Sequence, residues 1–177
     1  MDPLRQLLLE GEITVEGRMP WSSNGTFLVS LALGDETGQA VYKPVQGERP
    51  LWDFPPGLYK REMAAYLVSE AMGLGVVPVT VVREGPFGIG SLQHFVAADF
   101  EQHYFTIHER RDDLHDGLRA ICALDVVANN TDRKSGHVLL GLDDNLWAID
   151  NGLCFATEFK LRTVIWDFAG EALDDDL

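Results

Sequence analysis

The sequence predicts an α+β fold in two lobes, an antiparallel-sheet lobe over residues 1–98 and a small, mostly helical lobe over residues 99–177. Three observations predict it. As far as about residue 96, short segments of alternating or β-branched apolar residues follow one another between turns bearing glycine and proline, the period-2 signature of strands. A single helix-like run, Leu58 to Val68, interrupts them. The composition then shifts: residues 97–113 are polar and aromatic, and Leu114 to Ala128 sets Leu114, Leu118, Ile121, Cys122, Leu124 and Val126 at helical spacing. At 177 residues the chain suits one domain, or two small lobes sharing a cleft, with enough length for a core.

In chain order, Asp2 to Leu9 reads as a short helix. Glu12 to Arg18 alternates as a strand, and Thr26 to Leu33 is its hairpin partner across the turn Ser22-Ser23-Asn24-Gly25. Gly38 to Pro44 is a further strand with Lys43 at its end, followed by an irregular insertion, Gly47 to Gly57, in which aromatic packing of Trp52 and Phe54 under a loop is expected. After the Leu58 to Val68 helix, Val76 to Val82 is β-branched and strand-like. A Gly-Pro-Phe-Gly turn at Gly85 to Gly88 leads into the strand Ile89 to Val96, and the lobe boundary is expected near residues 97–100. Beyond the 114–128 helix, two short apolar segments, Val138-Leu139-Leu140 and Leu146-Trp147-Ala148-Ile149, form a hairpin. No repeat or low-complexity tract stands out apart from the acidic tail Asp174-Asp175-Asp176.

The formal net charge of −14 argues against nucleic-acid partners, which basic patches bind through counterion release. It equally disfavours docking on an anionic bilayer; the basic clusters Lys60-Arg61, Arg110-Arg111 and Arg133-Lys134 are all short. No apolar run approaches the ~20 residues that cross a bilayer. The N-terminus lacks a basic region followed by an apolar stretch, so no signal peptide is expected. Cys122 and Cys154 show no zinc-site spacing with each other or with the histidines, which fits a reduced, cytoplasmic protein.

The chemistry lies in four residues. Asp132 sits in the polar run Asn129 to Gly136, and Asp150 ends the second strand of the hairpin. Phosphoryl transfer needs such a pair: one carboxylate orients or deprotonates the attacking hydroxyl, and the other holds the metal that bridges the ATP phosphates. Two acids beside a turn are common in surface loops, so the upstream half matters. Lys43 ends a strand and Glu62 follows on a helix; a strand lysine held by a helical glutamate aims an ammonium at nucleotide phosphates. The bland alternative is two unrelated surface charges, and the order of the four residues along the chain counts against it.

The run Tyr59-Lys60-Arg61-Glu62-Met63-Ala64-Ala65-Tyr66-Leu67, with Gly73-Leu74-Gly75-Val76-Val77-Pro78 after it, resembles the lysine-partner helix of the phosphatidylinositol 3- and 4-kinase-like clan, a broad group that includes the HipA-like kinases. Asp132-Arg133-Lys134-Ser135-Gly136-His137-Val138-Leu139-Leu140 is similar to that clan's Asp-Arg-His-x-x-Asn catalytic loop, and Ile149-Asp150-Asn151-Gly152 to its metal-binding Asp-Phe-Gly. Compact bacterial phosphatidylinositol 3/4-kinase-like proteins are the nearest match, from about residue 12 to the end. The resemblance implies a two-lobed protein-kinase-like fold that binds ATP with Mg²⁺ or Mn²⁺. It implies Lys43, Glu62, Asp132 and Arg133 as catalytic-site residues, with Arg133 stabilising the loop through a carboxylate contact. Asp150 and His137 would hold the metal. Backbone groups of Gln93, His94, Phe95 and Val96 would receive the adenine. The turn Ser22-Ser23-Asn24-Gly25 would cover the phosphates, although an ordinary hairpin turn explains it equally well.

Two positions depart from the pattern: Lys134 stands where the lipid kinases have His, and His137 where they have Asn. A neutral imidazole can ligate a divalent cation, but Mg²⁺ prefers oxygen and Mn²⁺ suits nitrogen better. Asn129 and Asn130 could substitute as ligands, but are expected to cap the loop. The expected activity is ATP- and metal-dependent transfer of the γ-phosphoryl group to a hydroxyl acceptor that the sequence does not identify. Surface charge favours a neutral or basic acceptor by steering. Two alternatives stay open: a catalytically inactive nucleotide-binding scaffold, and an enzyme of the same fold that transfers AMP. Cys154 to Phe168 is similar to the clan's activation-loop region, and little chain follows it. A reduced second lobe, or a piece of a longer protein, is therefore expected, with an exposed second-lobe core that would favour a homodimer.

Overall fold

A computed structural model describes residues 2–172, so the acidic tail Asp174-Asp175-Asp176 lies outside the described residues. The chain is a mixed α+β protein that divides into two compact units. The first comprises the chain up to Ala64 together with Val79–Phe95, and the second comprises Ala65–Pro78 and the chain from Val96 onward. The division therefore falls at residue 95/96 where 98/99 was expected, and residues 65–78, expected in the first lobe, belong to the second unit.

The first unit is built on a five-stranded antiparallel sheet. Its strands are β1 (Glu12–Arg18), β2 (Phe27–Leu33), β3 (Glu36–Pro44), β4 (Thr80–Gly85) and β5 (Gly88–His94), in the order β1-β2-β3-β5-β4. Helix α1 (Pro3–Glu10) precedes it; proline at the first helical position needs no hydrogen bond there, and the Asp2 carboxylate accepts from the Arg5 N–H at 3.3 Å as its N-cap. Leu7 and Leu8 of α1 bury against Val29, Leu31, Ala40, Tyr42, Val81 and Leu92, one continuous core on one face of the sheet. Arg83 donates to the carbonyls of Leu8 (3.2 Å) and Gly11 (2.9 Å), satisfying acceptors that the end of α1 leaves open. Because side chains alternate along a strand, Val41 and Lys43 lie on the face opposite Ala40 and Tyr42. Register places Leu28 beside Val41, and Gln93 on its other side.

The strand expected over Val76 to Val82 begins only at Thr80. Pro78 has no N–H to give a ladder, and Val76 is committed elsewhere, its carbonyl accepting from the Ala148 N–H at 2.7 Å within the second unit. Helix α2 (Leu58–Ala71) buries Leu58, Tyr59, Glu62, Ala65, Tyr66 and Ser69. That is a regular helical stripe, but it includes a glutamate and a serine.

The second unit contains α3 (Tyr104–Arg110), α4 (His115–Val127) and the two-stranded ribbon β6 (Val138–Leu140) and β7 (Leu146–Ala148). Helix α3 falls in the polar and aromatic stretch 97–113, to which no element was assigned. Its buried face is only Tyr104 and Ile107, too short to announce a period. Leu118, Ile121 and Leu124 carry the buried stripe of α4, and Gly117 lets β7 approach, since a Cβ there would meet the Leu146 side chain at 2.8 Å. From 151 to 172 the chain forms turns and one isolated parallel bridge, Arg133 to Thr163. No described helix is long and apolar enough to cross a membrane.

Candidate functional site

In the first unit, Lys43 and Glu62 meet. Strand β3 turns Lys43 to the sheet face opposite the α1 core, and Lys43 Nζ stands 2.6 Å from Glu62 Oε1 of α2. The glutamate side chain is 5% exposed and the lysine 21%. A carboxylate that dry is costly to bury without a partner, and the lysine in turn is held in one place on that face. Leu28 and Val41, both half-buried, flank this end of the sheet on the same face.

The other first-unit candidates differ in what they offer. The Gly25 N–H donates to the Gly47 carbonyl at 2.7 Å, Asn24 Oδ1 accepts from the Arg49 N–H at 3.0 Å, and Ser22 Oγ lies 2.8 Å from Thr26 Oγ1. The turn is thus tied to the 47–49 segment, with its glycines back to back: a Cβ on Gly47 would sit 2.5 Å from the Gly25 carbonyl oxygen. Ser23 is exposed. Gln93 is buried and donates through Nε2 to Thr80 Oγ1 at 2.9 Å. The amides of His94 and Phe95 are taken by the carbonyls of Val79 (2.8 Å) and Gln39 (3.0 Å). Among the described residues, the Val96 N–H has no partner.

In the second unit, a buried guanidinium organises the loop of Asp132. Arg133 is 2% exposed and pairs with Asp125 of α4, Nη2 to Oδ1 at 2.9 Å, both side chains fully buried. Asp125 also accepts from Asn130 Nδ2 and Thr163 Oγ1, each at 2.9 Å. The rest of the guanidinium reaches forward: Nη1 donates to the Ile149 carbonyl at 2.7 Å and Nη2 to Asn151 Oδ1 at 2.6 Å. These contacts bracket Asp150, which is held at φ +55°, a left-handed conformation that aspartate tolerates better than most residues. Asp125 was not singled out by sequence; the signal was an acid in step with Leu118 and Ile121 on the apolar stripe of a helix.

His137 links the two aspartates. Its Nδ1 lies 3.0 Å from the Asp132 main-chain oxygen, and its Nε2 lies 3.4 Å from Asp150 Oδ2. Burial pushes the imidazole pKa down, against the pull of the Asp150 charge, so the ring is neutral near pH 7. With the proton on Nε2 the ring donates to Asp150 and Nδ1 accepts the Lys134 N–H at 3.3 Å; with it on Nδ1 the ring donates to the Asp132 carbonyl and turns the Nε2 lone pair toward the carboxylate, the form that can ligate a cation. In that form, two acceptors 3.4 Å apart match the edge of a cation's coordination shell, where bonds of about 2.1 Å give ligand separations of roughly 3.0–3.4 Å. No group of three or more His, Cys, Asp or Glu side chains among the described residues could hold a metal by itself. The donor set fits a cation that takes its remaining ligands from phosphate and water, as Mg²⁺ does. Asp132 is partly exposed, its carboxylate 3.3 Å from Lys134 Nζ, an exposed pair of little energetic weight.

No family model matches the chain. It is 41% identical, over 211 residues covering 99% of this chain and 75% of the relative, to Protein Rv2133c of Mycobacterium tuberculosis. Among solved structures it is similar to the Helicobacter pylori proinflammatory kinase CtkA, at 16% identity and a TM-score of 0.49, over 84% of this chain. The chain spans 60% of the length of that structure. It belongs to the family of Protein Rv2133c.

Proposed function

We propose that the chain is a protein-kinase-like phosphotransferase, dependent on ATP and a divalent metal, that transfers the γ-phosphoryl group to a hydroxyl acceptor. The observation that carries this reading is His137, whose two nitrogens address Asp132 and Asp150 at 3.0 and 3.4 Å while the buried Arg133 fixes the backbone on both sides of Asp150. The order of Asp132, Arg133 and Asp150 resembles the catalytic and metal-binding loops of the phosphatidylinositol 3/4-kinase-like and HipA-like clan, with Lys134 and His137 departing from its residue types. The Lys43–Glu62 pair supports the same reading from the first unit.

In this mechanism Lys43 neutralises nucleotide phosphates and Glu62 keeps it extended. Asp132 orients the acceptor hydroxyl and takes its proton as the oxygen attacks the γ-phosphorus. Asp150 and His137 Nε2 would hold a metal, which would supply charge neutralisation at the phosphates. An imidazole in that set favours Mn²⁺ over Mg²⁺. With the amides of His94 and Phe95 committed to the carbonyls of Val79 and Gln39, the Val96 N–H is the donor that this segment keeps for an adenine. Gly25 cannot give its N–H to a phosphate without releasing Gly47, so the contacts that turn has to offer come from Ser23 and Asn24.

The test is calorimetric titration of ATP with Mg²⁺ or Mn²⁺ into the wild type and Asp150→Asn. The expected result is metal-dependent binding in the wild type that the variant loses, while ATP without metal binds both alike. Absence of binding by the wild type with either metal would overturn the assignment.

A further inference from the structure

We propose that the groove beside Asp132 is the acceptor site and that it takes a soluble phosphorylated polyol, a sugar or cyclitol whose ring bears a free hydroxyl and a phosphomonoester. This rests on the phosphotransferase reading. The groove has a volume of about 430 Å³ and is lined by Asp132, Leu161, Arg162, Val164 and Trp166 among others. Its two walls are tied by backbone hydrogen bonds: Arg162 N–H to the Asn130 carbonyl at 2.8 Å, Arg133 N–H to the Arg162 carbonyl at 3.0 Å, and Val164 N–H to the Arg133 carbonyl at 3.2 Å. The groove is therefore held to the loop that carries Asp132.

Its chemistry runs against that of the molecule. The chain has 28 acidic and 14 basic residues, and Arg162 sets one of the few cations on the wall of this groove. Arg111, Arg119, Arg133 and Lys134 of this unit each meet a carboxylate. Arg162, like Arg110, is exposed and, among the described residues, has no carboxylate within ion-pair distance, but of the two only Arg162 lines the groove. A guanidinium matches the paired oxygens of a phosphomonoester. Next to it Trp166, 58% exposed, offers a flat indole, with half-buried Leu161 and Val164 completing an apolar patch. The C–H face of a sugar or cyclitol ring stacks on such a surface while its hydroxyl edge faces Asp132. The volume suits a small molecule, for which sites run from about 300 to 1,000 Å³. The net charge of −14 acts on any anion, and the basic clusters are too short to recruit an anionic bilayer against it, which favours a soluble carrier over a lipid-borne one. For the small ligand the same field is screened beyond about 8 Å at physiological salt, and the contact with Arg162 prevails.

The step balances as follows. The ring oxygen bonds to the γ-phosphorus as the bond from that phosphorus to the β–γ bridging oxygen breaks, and the hydroxyl proton passes to Asp132 and then to solvent. ADP and a polyol with one more phosphate leave.

The experiment offers the wild type, with Mn²⁺ and γ-labelled ATP, a panel of hexose and inositol monophosphates, the unphosphorylated parents, and vesicles of phosphatidylinositol phosphate in phosphatidylcholine. ATP·Mn²⁺ binding is measured alongside. At least one soluble monophosphate is expected to be labelled with a kcat/KM at least tenfold above its parent. Arg162→Gln is expected to raise its KM at least tenfold with kcat changed less than threefold, at an unchanged thermal transition. Intact ATP·Mn²⁺ binding with labelling of none of the soluble monophosphates, of parents and monophosphates equally, or of the vesicles alone overturns this proposal and leaves the phosphotransferase reading standing. Loss of ATP·Mn²⁺ binding in the wild type removes both.

Discussion

Asp125 shows how much a single buried acid can hold. Its carboxylate receives Arg133, Asn130 and Thr163, and through Arg133 it reaches the carbonyl before Asp150 and the side chain after it. The pair is fully buried, so its Coulomb gain is largely offset by desolvation. What it contributes is position, because one guanidinium fixes three chain segments at once. Asp125→Ala would strand the Arg133 charge in the interior, and is expected to cost about 3–5 kcal/mol in urea denaturation. Asp125→Ala with Arg133→Met should recover most of that loss, since the buried charge is gone. A single variant as stable as the wild type would mean that water reaches Arg133. Lys134 and Asp132, by contrast, form an exposed pair, and stability should not register it.

Strands β3 and β5 set where Lys43 stands, and their closeness depends on Gly90. A Cβ there would lie 2.4 Å from the Lys43 carbonyl oxygen and 2.7 Å from the Pro44 Cα, both backbone atoms that cannot swing aside. Gly90→Ala is therefore expected to destabilise by about 1–3 kcal/mol, the usual range for overpacking, read as a lower thermal midpoint. Tyr42 locks the neighbouring turn: its hydroxyl donates to the Gly88 carbonyl and accepts from the Phe87 N–H. Burial accordingly raises the pKa of that phenol. Helix α2 carries Glu62 on its buried stripe, where a polar group would be costly without its lysine.

For the molecule as a whole, charge is the dominant global property. A net charge of −14 repels itself, and a compact state feels this more than an unfolded one. Raising the salt from about 0.01 M to about 0.15 M shortens the Debye length from roughly 30 Å to about 8 Å. The melting temperature is therefore expected to rise by a few degrees over that range, and a fall would show that surface ion pairs such as Arg111 with Asp113 and Asp144 outweigh the repulsion. The same global field suggested a neutral or basic acceptor, whereas the local chemistry around Arg162 points to an anionic one. At contact distance the nearest charge matters more than the sum of distant, screened ones.

The strands β1, β2, β3 and β5 and the helices α1, α2 and α4 could be read directly, because each carries its own period or cap over enough residues to outweigh chance. So could the types and order of Lys43, Glu62, Asp132 and Asp150, since polar residues at the ends of apolar segments stand out against their background. Helix α3, with two buried residues, has too short a period to be heard. The extended run at Val76 and Val77 has strand-like composition but finds its partner in Ala148 rather than in the sheet, a choice that only long-range pairing makes. The role of Asp125, the place of His137 between Asp132 and Asp150, and the position of Arg162 in the groove beside Asp132 were equally hidden. Each depends on which groups from distant parts of the chain lie within about 3.5 Å, the reach of a hydrogen bond, and spacing along a sequence carries no such distances.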